Sequence, residues 1–201
     1  PVECLVVNNI FRDQLDRYGE ITHTLNAIRE GITHVPNATL CLNADCSLTA
    51  SLADSVPNKI VWFGVNVPIY KETAHELSER RLHPLQDRIT YGHLGGFRCP
   101  NCGYHRQTPQ VAVTKVLATG ADSSDIVLDI FGHEHEVHVN LPGGYNIYNA
   151  AAEAAVAHVV GIDEQTAVSA LSQFECGFGR AEQFKLGQAQ ARMMLVKNPA
   201  G

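Results

Sequence analysis

Three short apolar runs, separated by polar and helix-forming stretches, place the strongest constraint on how this chain folds. The runs occupy residues 3–7, 39–43 and 59–65, and each contains several consecutive apolar side chains. Continuous apolar strands of this length are typical of parallel sheets that helices cover on both faces. The stretch between the first two runs predicts helices over 11–17 and 21–30. The alternation of strand and helix therefore predicts an α/β domain with a mainly parallel sheet.

The rest of the chain extends this pattern. Gly31 is predicted to end the second helix, and residues 47–53 predict a shorter one. The alanine-rich stretch 147–160 is the strongest helix prediction, because alanine has the highest helix propensity. Asp163 is placed to cap a further helix over 164–173. Five more strands are predicted, the second and third of them as a hairpin: 111–118, 125–131, 135–141, 181–186 and 191–196.

Composition argues against several classes of function. The net charge of -6 disfavours a nucleic-acid partner, since such proteins carry basic surface that neutralises phosphates. No apolar run is long enough to form a transmembrane segment, and no secretion signal opens the chain. Six cysteines without such a signal indicate a reducing compartment, so the sequence predicts a cytoplasmic protein without a disulfide framework.

Residues 66–110 interrupt the strand–helix pattern with four prolines and a Cys-x-x-Cys pair. Cys99 and Cys102 lie on a predicted tight turn, which can aim two thiolates at one tetrahedral zinc ion. His133 and His135 share one face of the predicted hairpin and could also chelate a metal. An exposed polar hairpin is the favoured interpretation of these histidines, because no third ligand has a suitable spacing.

Longer motifs carry a resemblance to a known family. They occur in family order along the chain: NNIFRDQLDRYGE (8–20), LNAD (42–45), GHLGGFRCPNCGYHR (92–106), LPGGYNIYNAAAEAA (141–155), GFGRAE (177–182) and LVKNPAG (195–201). Together they resemble the Mur ligase family of ATP-dependent amide ligases, and in particular the group that forms the ligase subunit of lipid II isoglutaminyl synthase. The resemblance covers essentially the whole chain.

The resemblance implies a Mur ligase central-domain-like α/β fold. It implies an ATP-binding central domain over 1–178, a zinc-ribbon-like insertion over about 72–109, and the start of a C-terminal α/β domain over 179–201. The family's phosphate-binding loop contains a Gly-Lys pair, and no such pair occurs in this chain. We therefore expect the chain to begin downstream of that loop, to end before the catalytic acid, and to be inactive alone. An incomplete sheet would leave apolar side chains exposed at Val6, Val61 and Val65.

Candidate nucleotide-binding residues follow from the strand pattern and from the resemblance. Ligands of parallel α/β sheets bind at the carboxyl ends of strands, and Asn8, Asn9 and Asp13 follow the first predicted strand. An acidic residue there suits Mg²⁺ beside ATP phosphates, although pairing along a short helix also explains Asp13. The resemblance implies that Asn149, with Asn146 nearby, contacts adenine; capping of a helix by Asn146 is the alternative. The resemblance further implies phosphate-binding or nucleotide-facing roles for Arg180, Lys197 and Asn198.

The zinc site is incomplete when it is compared with the family pattern. The second cysteine pair of the family falls at Ser78 and Arg81 here, and arginine cannot bind zinc. A histidine could complete a mixed site with Cys99 and Cys102, or the ribbon could persist as a metal-free loop. The histidines within reach in the sequence are His75, His83, His93 and His105.

For the complete enzyme, the resemblance implies amidation of the D-glutamate of the lipid II stem peptide to D-isoglutamine, in peptidoglycan biosynthesis. ATP and Mg²⁺ would activate the α-carboxyl group, and a class I glutamine amidotransferase subunit (GatD-like) would deliver ammonia. Two alternatives stay open. One is another Mur-related ligase, such as a folylpolyglutamate-synthetase-like enzyme, and the other is a non-catalytic zinc-ribbon or partner-binding remnant.

Overall fold

The fold is described from a computed structural model of the protein. The structure describes residues 1–10, 21–54, 56–70, 86–92, 94–174 and 182–193. The predicted helix over 11–17 lies outside these ranges. The strands are β1 (Cys4–Val7), β2 (Thr39–Asn43), β3 (Ile60–Val65), β4 (Gln86–Tyr91), β5 (Leu94–Phe97), β6 (Val111–Thr119), β7 (Ser124–Ile130), β8 (His133–Val139), β9 (Glu182–Leu186) and β10 (Ala189–Met193). The helices are α1 (Ile21–Thr33), α2 (Ser47–Ala50), α3 (Tyr145–Val159) and α4 (Glu164–Gln173), with a 3₁₀ turn at Ser51–Ala53.

A six-stranded mixed sheet forms the centre of the fold, in the order β1-β2-β3-β6-β7-β8. The pairs β1–β2, β2–β3 and β3–β6 are parallel, whereas β6–β7 and β7–β8 are antiparallel. The predicted mainly parallel α/β sheet is therefore confirmed. Two separate hairpins, β4–β5 and β9–β10, stand outside this sheet.

Helices cover both faces of the sheet, which explains why the parallel strands are continuously apolar. Strand β2 shows the alternation directly. Cys41 faces a cluster that includes residues of α3 and α4, while Leu40 and Leu42 face a second cluster that includes Leu25 of α1. The alanines of α3 are nearly all buried, and their small side chains let this helix lie close to the sheet. The N-terminal part of α3 carries Asn146 and Asn149, two of the residues predicted to bind nucleotide.

Both predicted ends of α4 agree with the structure, whereas the predicted end of α1 is wrong. Helix α4 spans the predicted residues, and the Asp163 carboxylate caps it by accepting a hydrogen bond of 2.9 Å from Thr166 N. Helix α1, however, continues through Gly31 to Thr33. Ile32 is fully buried against the sheet, and this burial outweighs the cost of about 1 kcal/mol for a glycine inside a helix.

The expected exposure of three valines holds for one of them. Val6 is exposed on β1, which lies at one edge of the sheet. Val61 and Val65 are buried, so their expected exposure is wrong. They lie on β3, which has β2 and β6 as neighbours and packs against α3.

The predicted hairpin is confirmed as β7–β8, joined by the two-residue turn Phe131-Gly132. Both turn residues have positive φ angles, 50° and 96°, as a type I′ turn requires. The Phe131 ring stacks on His158 near the end of α3, with ring centroids 3.9 Å apart. No helix in the described part of the chain is long and apolar enough to cross a membrane.

The core assignment predicts a large difference between two leucines on neighbouring strands. Leu128 on β7 is fully buried, whereas Leu117 on β6 is 53% exposed. We expect Leu128→Ala to lower the free energy of unfolding by about 2–5 kcal/mol, because it removes buried methyl groups and leaves a cavity. The control Leu117→Ala should change it by less than about 0.5 kcal/mol. Urea unfolding followed by circular dichroism measures both, and equal effects would contradict this core assignment.

Candidate functional site

A cavity of about 200 Å³ lies where β1 ends and α3 begins. The hairpin β4–β5 contributes a further wall through Tyr91 and Leu94. The carboxyl end of a parallel strand beside a helix N-terminus is a usual place for a bound ligand in α/β proteins. The cavity wall is amide-rich on one side and aromatic on the other, with Asn8, Asn9, Asn149, Tyr91, Tyr145 and Tyr148.

Three asparagine side chains form one chain of hydrogen bonds along this wall. Asn8 Nδ2 donates to Asn149 Oδ1 over 2.6 Å, which joins the end of β1 to α3. Asn149 Nδ2 in turn donates to Asn146 Oδ1 over 2.9 Å. Asn146 Nδ2 donates to the carbonyl oxygen of Pro142 over 2.6 Å, just before the helix. The structure thus brings together the strand-end and helix residues that the sequence singles out.

The capping alternative for Asn146 is wrong. Helix α3 has Gly144 at its N-cap position and no side-chain cap, and Asn146 lies inside the helix. The Asn146 side chain donates to a preceding carbonyl group instead of accepting from a helix N–H group. Asn146 therefore belongs to the chain of amides at the cavity.

The contact to Asn149 comes from Asn8, the first of the two strand-end asparagines. Asn9 also lines the cavity and is exposed. Asn8 Oδ1 is buried without a hydrogen-bond partner, so the wall keeps one unsatisfied acceptor. The strand-end argument points to this region, but it does not show which of the two adjacent asparagines bonds to α3.

Four of the predicted site residues lie outside the described part of the chain. Their assignments to Mg²⁺, phosphate or nucleotide stay predictions. They are Asp13, Arg180, Lys197 and Asn198.

A buried carboxylate, Asp45, lies behind the cavity and was not singled out by the sequence. Asp45 is 2% exposed, and its side chain forms an ion pair with Arg106 Nε. Asp45 Oδ2 accepts hydrogen bonds from Val65 N over 2.7 Å and from the Tyr148 hydroxyl over 2.8 Å. Its carbonyl oxygen accepts from Gly95 N over 2.9 Å. The motif LNAD contains Asp45, but a four-residue motif carries no spacing that reveals these distant partners.

The tyrosine hydroxyl in this network is held as a donor. Burial raises the pKa of Tyr148 far above its ordinary value, and the negative charge of Asp45 raises it further. The same hydroxyl lies 2.5 Å from Thr90 Oγ1 on β4. Tyr148 therefore stays protonated at neutral pH and joins α3 to two other parts of the fold.

The aromatic side of the cavity depends on close packing around Gly144. The Tyr70 hydroxyl accepts a hydrogen bond of 3.0 Å from Gly144 N. A Cβ atom at Gly144 would lie 2.9 Å from the Tyr91 ring and 3.0 Å from Ile69, so only glycine fits there. Burial raises the pKa of Tyr91, and the neighbouring Tyr70 adds to the rise.

The Cys99–Cys102 turn is held by main-chain hydrogen bonds. Cys99 N donates to Tyr104 O over 2.6 Å, and Gly103 N donates to Cys99 O over 3.0 Å. Gly103 has a φ angle of 75°, which glycine adopts without strain. Hydrogen bonds from the main chain of Cys102 and Asn101 lower the pKa of Cys99. No cluster of three metal-ligating side chains occurs within the described ranges. His75, His83 and His93 lie outside these ranges, so zinc binding at Cys99 and Cys102 stays a prediction.

The hairpin histidines have carboxylate partners. His133 Nδ1 and His135 Nε2 both contact the Glu164 carboxylate, at 3.1 and 2.9 Å. His138 Nδ1 contacts Asp125 Oδ1 at 2.7 Å. These contacts attach β8 to the first turn of α4 and fit the interpretation as a polar hairpin.

Comparison with solved structures defines the class of protein. A pseudomurein peptide ligase type C from Methanothermus fervidus is 28% identical with a TM-score of 0.76, over 98% of this chain and 39% of that one. A MurF structure from Acinetobacter baumannii shares the fold, at 17% identity and a TM-score of 0.68 over 98% of this chain and 35% of that one. The chain belongs to the Mur ligase family.

Within that family, the chain is similar to one particular protein, the MurT subunit of lipid II isoglutaminyl synthase (glutamine-hydrolyzing). It is 36% identical to MurT of Streptococcus pneumoniae over 98% of this chain, and 30% identical to MurT of Staphylococcus aureus over the same share. The chain spans 44% of the length of each of these relatives. No family model matches the sequence.

The histidine–glutamate contacts predict a specific dependence of stability on pH. Hydrogen bonds from His135 and then His133 lower the pKa of Glu164 in the folded protein. A carboxylate with a lowered folded pKa stabilises the fold above its unfolded pKa, and this contribution is lost as pH falls through the folded value. We expect Glu164→Gln to reduce the loss of stability on the acid side of about pH 4.5. Melting temperatures between pH 3 and pH 7 measure this loss of stability. The control is His135→Ala, which removes the largest contribution to the lowered pKa of Glu164.

Proposed function

We propose that this chain is the nucleotide-binding part of an ATP-dependent amide ligase that amidates the D-glutamate of the lipid II stem peptide to D-isoglutamine. The observation that carries the proposal is the hydrogen-bonded chain Asn8–Asn149–Asn146 along a cavity at a strand end. The similarity to MurT over 98% of the chain supports the choice of reaction. The cytoplasmic location predicted from the cysteines belongs to the same proposal.

The cavity fits a nucleotide base in size and chemistry. Amide groups can both donate and accept, which matches the edge of adenine, and the facing tyrosines offer apolar surface to a flat ring. Both ends of the Asn149 amide are engaged by protein groups, whereas Asn8 Oδ1 has no donor. In the proposal, the base lies beside the hydrogen-bonded amides of Asn8 and Asn149, and Asn9 faces the rest of the nucleotide.

The remaining predicted residues complete the proposed reaction. Asp13 would hold Mg²⁺ beside the phosphates, and Arg180, Lys197 and Asn198 would bind the triphosphate or face the substrate. ATP transfers its γ-phosphoryl group to the α-carboxyl group, which releases ADP and forms an acyl phosphate. Ammonia attacks the carbonyl carbon of this acyl phosphate, and the amide and inorganic phosphate are formed. In this proposal, a class I glutamine amidotransferase subunit (GatD-like) supplies the ammonia. In this proposal, the residues of this chain bind and orient the nucleotide and neutralise its charge, and they form no covalent intermediate.

The proposal predicts that Asn149 contributes to nucleotide affinity. In the full-length gene product, Asn149→Ala should weaken ATP binding by at least about tenfold, because it removes the central amide of the chain. Isothermal titration calorimetry measures the dissociation constant, and glutamine-dependent amidation of lipid II by the complex measures the activity. The matched control is Asn140→Ala, since the Asn140 amide bonds Phe174 O and does not line the cavity. Unchanged ATP affinity in Asn149→Ala would contradict the proposed site.

The incomplete cysteine set predicts that the protein does not hold a stoichiometric zinc ion, and metal analysis tests this prediction. Cys99 and Cys102 provide two thiol ligands, and Ser78 and Arg81 replace the second pair of the family pattern. We expect the purified protein to contain well below one zinc per chain. Cys99→Ser should then leave the melting temperature unchanged in the presence or absence of a chelator. A stoichiometric zinc that is lost in Cys99→Ser would establish a mixed site instead.

A further inference from the structure

The Tyr148 hydroxyl group connects the two elements, α3 and β4, that carry opposite walls of the cavity. Tyr148 on α3 is 1% exposed, and its hydroxyl donates to Asp45 Oδ2 and contacts Thr90 Oγ1 on β4. The residues that follow Tyr148 and Thr90 in the chain are Asn149 and Tyr91, and both line the cavity. The distance between the amide wall and the aromatic wall is therefore set through this hydroxyl.

Asp45 connects the same hydroxyl to the rest of the sheet. One of its carboxylate oxygens accepts from Tyr148 and from Val65 N on β3, and the other pairs with Arg106. Its carbonyl oxygen accepts from Gly95 N on β5, so the hairpin β4–β5 is attached at a second point. Asp45 thus joins the end of β2, the end of β3, the hairpin and α3, although it does not line the cavity.

We propose that Asp45 is a positioning residue for the cavity, which acts through the Tyr148 hydroxyl to hold the Asn149 amide at a fixed distance from Tyr91. The proposal rests on the proposed function, because it takes the cavity as the place where the nucleotide base binds. Asp45 does not line the cavity, so its effect on the nucleotide is transmitted through Tyr148, which does line it, and through the neighbours of Tyr148.

The packing around the carboxylate leaves little room for the network to shift. A Cβ atom added at Gly64 would lie 3.1 Å from Asp45 Oδ2 and 3.1 Å from Arg106 Nη2. Arg106 Nη2 also donates to Asn66 Oδ1 over 3.0 Å. The guanidinium group is therefore held by Asn66 as well as by Asp45. Apolar residues of similar volume would stabilise such a buried site as well as an ion pair does. Unlike apolar packing, however, Asp45 forms directional hydrogen bonds to β3, β5 and α3, and these bonds fix the relative positions of the three elements.

The test uses Tyr148→Phe in the full-length gene product. The substitution keeps the buried ring and removes only the hydroxyl, so we expect the fold to persist. The KM for ATP should rise roughly fivefold to tenfold while kcat changes less than twofold, since the buried contacts that join Tyr148 to Asp45 and to Thr90 are lost. Thr90→Val, which removes the other partner of the hydroxyl, should raise the KM in the same direction. Hydrogen exchange should become faster in both 90–97 and 145–149.

A matched control separates positioning from general destabilisation. Val137→Ala truncates a buried side chain on β8, away from the cavity, and should lower the melting temperature without changing the KM for ATP. The inference is overturned if Tyr148→Phe leaves the KM unchanged, or if Val137→Ala raises it equally. If the unmodified protein binds no ATP, the proposed function fails and this inference fails with it. If the unmodified protein binds ATP and Tyr148→Phe binds equally well, only the inference fails.

Discussion

The buried carboxylate of Asp45 is the constraint on which the arrangement of the site depends. A charged group that is 2% exposed needs a counter-charge and hydrogen-bond donors, and here Arg106, Val65 N and the Tyr148 hydroxyl provide them. These donors come from different parts of the chain. Satisfying one carboxylate therefore requires the sheet, the segment of Arg106 and α3 to meet in one arrangement, and the main-chain carbonyl group of Asp45 adds the hairpin β4–β5 through Gly95 N. The cavity lies beside this arrangement.

The insertion between β3 and β6 has a structural connection to the body of the fold. Its hairpin β4–β5 supplies Tyr91 and Leu94 to the cavity wall, and Arg106 binds Asp45 beneath it. The Phe97 and Tyr104 rings pack against each other across the Cys99–Cys102 turn, with centroids 5.5 Å apart. Ring packing, main-chain bonds and the ion pair hold this part of the ribbon to the body, independently of whether a metal binds. The boundaries predicted for the insertion, about 72–109, and for the domains, 1–178 and 179–201, stay predictions.

Features that depend on local pattern were predictable from the sequence. The extents of β2 and α4 follow from an apolar run and from the Asp163 cap. The strand-end rule selects Asn8 and Asn9, the resemblance selects Asn149, and all three line one cavity. Features that depend on distant partners were not. The continuation of α1 past Gly31 depends on the burial of Ile32, and the role of Asp45 depends on Tyr148, which is 103 residues away. No local spacing contains that information, because only the folded chain brings the two side chains together.

The amide chain along the cavity has a direction, and a single main-chain group decides it. The carbonyl oxygen of Pro142 can only accept, so Asn146 must turn its NH₂ group toward it. Asn146 then offers its oxygen to Asn149, and Asn149 offers its oxygen to Asn8. Every amide is thereby oriented head to tail, and the oxygen left over belongs to Asn8 at the far end. The main-chain carbonyl group of Pro142, before α3, thus fixes the polarity of the amide chain as far as the end of β1, where it leaves an acceptor rather than a donor.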